Sequence, residues 1–123
     1  RLFRTSNISR VKNKYDNFRI SNMAILAVFH GQGFTKQMYE QLRKEIDWEH
    51  NHPTGEIFHA VAFDKSGDIH VTDIWESEQD FDNFLESKLK PAIEKINAPM
   101  PMGGVYPIYN VNAFQGIDSF RIK

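Results

Sequence analysis

Two strand-like runs, Ile57 to Asp64 and Asp68 to Glu76, flank the short turn Lys65-Ser66-Gly67, and this hairpin constrains the fold more than any other stretch of the chain. Side chains alternate between the two faces of a strand, and the turn fixes the register. With Asp64 opposite Asp68, His59 falls opposite Asp73. One face then carries Ile57, His59, Val61 and Phe63 with Ile69, Val71, Asp73 and Trp75. The other carries Phe58, Ala60 and Ala62 with His70, Thr72 and Ile74. An imidazole beside a carboxylate on an apolar face is either a satisfied buried pair or the start of a reactive site.

The flanking segments define the elements around the hairpin. The apolar run from Met23 to His30, ended by Gly31 and Gly33, reads as a buried strand. Thr35 is a suitable N-cap for a helix from Lys36 to about Trp48, whose stripe is Met38, Tyr39, Leu42 and Ile46. Pro53 and Gly55 place the segment 49–56 in a loop. Ser77 and Asp80 form a capping-box pattern ahead of a second helix with the stripe Phe81, Phe84, Leu85, Leu89 and Ile93. Glu86 and Lys90 have ion-pair spacing on its wet side, and Pro91 is expected to kink or divide it. Residues 98–104 read as a loop, Val105 to Val111 as the last strand, and residues 112–123 show no pattern.

The order strand, helix, strand, strand, helix, strand is the ferredoxin-like α+β arrangement: a four-stranded antiparallel sheet with both helices on one face. The small Ala60 and Ala62 suit close helix packing, so their side is assigned to the helices. The open face then holds Ile57, Val61, Phe63, Ile69, Val71 and Trp75. Covering these six side chains is worth roughly 9–18 kcal/mol at about 1.5–3 kcal/mol each. Association costs an estimated ~4–15 kcal/mol. A second copy of the chain is the simplest cover, and a homodimer is expected.

A 123-residue chain with 41% hydrophobic and 25% charged residues suits one soluble globular domain. No apolar run approaches the ~20 residues of a membrane-spanning helix. The absence of cysteine excludes disulfides, thiolate ligands and a Cys nucleophile, and fits the cytoplasm. The net charge of −1 divides unevenly, because residues 1–22 carry +5 and the remainder −6. Residues 1–22 are expected to be a basic extension, flexible or not native to the domain, with the domain at 23–112 and a tail at 113–123. Such an arm has the character of a nucleic-acid or anionic-lipid contact, or of an organellar transit peptide. The globular part offers no second basic patch, so neither a specific nucleic-acid partner nor a membrane is expected.

Several strings together resemble the dimeric α/β-barrel superfamily that includes the antibiotic-biosynthesis-monooxygenase-like proteins. They are Ala24-Ile-Leu-Ala-Val-Phe29, Pro53-Thr-Gly-Glu-Ile-Phe-His59, Val71-Thr-Asp-Ile-Trp-Glu-Ser77, Leu89-Lys-Pro-Ala92 and Tyr106-Pro-Ile-Tyr-Asn110, with Phe81 and Phe84. The likeness spans about residues 23–112 and is nearest to small, uncharacterised bacterial members. It implies facing sheets in a dimer and a pocket in each subunit. Activities in the superfamily include cofactor-free oxidation of aromatic polyketides, haem degradation and isomerisation. Tyr106 and Tyr109 stand where close-looking relatives are expected to carry His.

His59 and Asp73 are accordingly the candidate catalytic residues, base and orienter. Trp75 and Phe63 on the same face, and Tyr106 or Tyr109 as a hydrogen-bond donor, are the candidate contacts to a hydrophobic or aromatic small molecule. His50-Asn51-His52 has the look of a metal clip but lacks a second pair, so no metal is expected, nor any other cofactor. Haem enters only through the resemblance. Gly31-Gln-Gly33 lacks the spacing of a phosphate cradle. Two readings remain open, a cofactor-independent monooxygenase or isomerase and a non-catalytic dimeric ligand-binding or interaction module.

Overall fold

The computed structural model describes residues 23–122, and the expectations about the basic arm 1–22 lie outside the described residues. The elements are β1 (Ile25–Gly31), α1 (Lys36–Ile46), β2 (Glu56–Phe63), β3 (Ile69–Trp75), α2 (Glu78–Phe84), a π turn (Leu85–Leu89), α3 (Lys90–Lys95), β4 (Met102–Pro107) and a terminal 3-10 turn (Gln115–Phe120). The strands form one antiparallel sheet in the order β2-β3-β1-β4, the ferredoxin-like α+β arrangement. No helix among the described residues is long and apolar enough to cross a membrane.

The helix signals act as their chemistry requires. The Thr35 hydroxyl accepts from the Met38 N–H, and Asp47 closes α1 in the left-handed region. Ser77 caps α2 by accepting from the Asp80 N–H at 3.1 Å. Pro91 has no N–H to offer the preceding turn, and the helix loosens just before it: the Lys90 N–H reaches back five residues to the Leu85 carbonyl. The proline therefore divides the second helix through a π turn. Lys90 and Glu86 pair at 3.9 Å.

The hairpin has the expected register, with His59 opposite Asp73 and the Asp64 N–H on the Asp68 carbonyl. The assignment of its faces is reversed. Ile69, Val71, Asp73 and Trp75 are buried against the helices, in one core with Phe81, Leu85, Leu89 and Ile93. Ala60, Ala62 and His70 face outward. Strand alternation says which side chains share a face but not which face meets the helices. Here the larger side chains win, because they bury more apolar area.

One further correction follows from a β-bulge. Glu56 pairs with Trp75 and Phe58 with Ile74, so Ile57 is an extra residue and projects into solvent. Its expected inward place is taken by Glu56. β4 begins three residues early, at Met102, because Gly103 tolerates close backbone approach to β1. The uncovered face of the sheet shows Val28, Met102 and Tyr106, together with a cross-strand stack of His30 on His70 at 5.9 Å. His70 also bonds Asp64 at 2.8 Å, which ties the stack to the hairpin turn.

Candidate active site

β2 and β3 deliver His59 and Asp73 to the helix-facing side of the sheet, and α1 crosses above them. His59 Nδ1 lies 2.6 Å from Asp73 Oδ1, and its Nε2 lies 2.9 Å from the Tyr39 hydroxyl. The bulge adds Glu56, whose Oε2 stands 3.7 Å from the same Nδ1. Trp48, in the turn after α1, packs its ring edge-on against the imidazole at 4.9 Å, and Tyr39 stacks at 6.2 Å. Behind Tyr39, Arg43 Nε donates to Glu49 Oε1 at 2.7 Å, while Glu49 Oε2 is buried without a hydrogen bond.

The electrostatics follow from three acids and one imidazole in a mostly dry place. Burial raises the Glu56 carboxyl from 4.5 to about 8, aided by the Asp73 charge and opposed by His59. Burial also raises Asp73, against the hydrogen bond and charge of His59. For His59 burial acts downward, but the Asp73 hydrogen bond and the charges of Asp73, Glu56 and Glu49 outweigh it and the net direction is up. Burial pushes the Tyr39 hydroxyl up, so it stays protonated. The shifts of Glu56, His59 and Asp73 all run upward, so each holds its proton more tightly than in water, and Glu56 lies close to its own titration point near neutral pH.

The polar groups open on a hollow between α1, the sheet and the second helix, with apolar walls from Phe34, Leu42, Trp48 and Phe84. Its cavity volume is about 30 Å³, room for a water or two. Four groups lining the hollow or standing behind it were not among the candidate site residues read from sequence. Tyr39 and Trp48 read as stripe and helix-end residues, Glu49 as loop, and Glu56 was hidden by the bulge.

The other sequence candidates are elsewhere. Trp75 shares the face of Asp73 but is fully buried in the core against Phe81 and Phe84, with its indole nitrogen unbonded, and does not line the hollow. Phe63 sits edge-on to the outer side of Tyr39 at 6.1 Å. Tyr106 lies on the uncovered sheet face, curled over Gly104, and Tyr109 is wholly exposed beyond β4, so neither reaches His59. In the 50–52 loop His50 bonds Asp47 and His52 bonds the Glu56 carbonyl, each at 2.6 Å, so the two imidazoles do not converge.

Comparison with known proteins gives fold relatives. No family model matches the chain, and no curated protein does. Among solved structures it is similar to a conserved protein from Methanosarcina mazei Go1, with 16% identity and a TM-score of 0.55 over 75% of this chain and 99% of that one. It is also similar to a protein from Deinococcus radiodurans described as a "putative antibiotic biosynthesis monooxygenase", with 15% identity and a TM-score of 0.52 over 76% and 99%. At these identities the shared property is the ferredoxin-like fold alone.

Proposed function

We propose that this chain binds a small aromatic or enolisable molecule in the hollow and moves a proton on it, as a cofactor-independent monooxygenase or isomerase of the cytoplasm. The hydrogen-bonded line Tyr39–His59–Asp73, ending at an apolar hollow, carries this reading. A proton leaving an acidic C–H or phenol passes along the Tyr39 hydroxyl to His59 Nε2, and Asp73 holds the ring and stabilises the imidazolium. The resulting enolate or phenolate oxygen is stabilised by the Tyr39 hydroxyl, with the imidazolium behind it. Isomerisation returns the proton to another atom. Oxygenation of a ring methylene instead takes up O2 and yields a ring carbonyl and water, so no external reductant enters. The fold likeness to the Deinococcus radiodurans protein agrees with this class of chemistry.

The test is oxygen uptake and C–H deuterium exchange by the purified chain with anthrone-like and phenolic compounds. His59→Ala is expected to lower turnover about 100-fold or more. Undiminished rates in a folded His59→Ala protein would overturn the mechanism.

The small volume of the hollow favours a second reading, a non-catalytic dimeric binding or interaction module in which the His59 cluster serves packing alone. That reading predicts that His59→Ala lowers stability and changes no rate. In both readings the partner is a second copy meeting the uncovered sheet face.

A further inference from the structure

We infer that Glu56, His59 and Asp73 form a site for one divalent transition-metal ion. The three donors come from two adjacent strands, and Glu56 Oε2, His59 Nδ1 and Asp73 Oδ1 all lie within 4.8 Å of one another. The side chain of Glu56 is only 10% exposed and points into this cluster, yet it makes no hydrogen bond among the described residues. A strand bulge was needed to turn it inward, and solvent would otherwise have accepted it. Two buried carboxylates face a single imidazole, because Arg43 is committed to Glu40 and Glu49. With His59 neutral as a ligand, the two charges of one divalent ion balance the two ligating carboxylates.

The donor set states which cation fits. Two carboxylates and an imidazole suit Zn²⁺, Mn²⁺ or Co²⁺, whereas Mg²⁺ favours oxygen ligands and retains its waters. Bonds of about 2.0–2.2 Å place neighbouring donor atoms roughly 3–3.5 Å apart, and small side-chain rotations bring the triangle to that size. His59 Nδ1 gives its proton to solvent on binding. Its Nε2–H then donates to the Tyr39 oxygen, which fixes the tautomer as a supporting hydrogen bond does at other metal-bound histidines. Three protein ligands leave coordination positions open toward the hollow, and the cavity of about 30 Å³ accommodates a bound water there. The sequence expectation of no metal rested on the 50–52 loop, whose histidines take no part. A metal on Nδ1 keeps Nε2 protonated and so competes with the base role of His59, but binding is measured without substrate, so its test is separate from that of turnover.

The experiment is calorimetric titration of the chelator-stripped, tag-free chain with ZnCl2, MnCl2 and MgCl2, with cobalt absorption reporting the donor set. One Zn²⁺ per chain is expected, with Mg²⁺ at least 100-fold weaker. Glu56→Gln should weaken Zn²⁺ about 100-fold while keeping the circular dichroism of the parent, and Tyr39→Phe about 10-fold. A His50→Ala, His52→Ala double variant should bind as the parent does. No stoichiometric binding, full binding by Glu56→Gln, or loss in the loop variant would each overturn the site.

Discussion

Glu56 occupies the helix-facing side of the sheet because β2 contains one residue more than β3 can pair. A carboxyl there is easier to bury neutral than charged, and its position near 8 expresses that preference. The sign for stability follows. Below about 4.5 the group is protonated in both the folded and the unfolded chain. Between 4.5 and about 8 only the folded chain keeps the proton, so stability falls as pH rises through this window and levels off above it. Urea unfolding of chelator-treated protein across this range should show the decline, and Glu56→Gln should flatten it. The His59–Asp73 pairing was legible because turn length sets hairpin register. Glu56 was not, since no residue type announces a bulge. Tyr39 was half legible: its helical spacing declared it buried, and a buried hydroxyl requires a partner that spacing cannot name.

Among the elements, β4 depends on one residue without a side chain. A Cβ on Gly103 would stand 2.1 Å from the Val28 carbonyl oxygen, a backbone atom that cannot move without separating the strands. Gly103→Ala should therefore cost about 1–3 kcal/mol, read as a lower urea midpoint with an unchanged slope. Two adjacent glycines next to prolines suggest a loop, which is why the strand was expected to begin at Val105. The helices were more transparent, since Thr35, Ser77 and Pro91 each act through a local rule of hydrogen bonding. The faces of the hairpin were not transparent, because both sets of residues are largely apolar. Only the packing of Phe81, Leu85 and Ile93 against Val71 and Trp75 distinguishes them.

At the scale of the molecule, the described residues of the ferredoxin-like fold leave one side of the sheet without helices, and Val28, Met102 and Tyr106 remain on it. If a second copy covers this side, charges placed there should separate the copies without unfolding either. Val28→Glu combined with Tyr106→Glu is expected to halve the mass seen by light scattering while the far-ultraviolet circular dichroism stays unchanged. A wild-type protein that is already monomeric would remove that assembly from consideration. The same architecture bears on the proposed binding in the hollow. The hollow has space for little more than water, so for the proposed aromatic guest to enter, its walls must first part; α1, tied across to α3 by the Glu45–Lys95 ion pair, is one of them. Entry is then timed by the protein's own breathing and not by collision, so raising the guest's concentration quickens uptake only to a ceiling set by how often that door stands open.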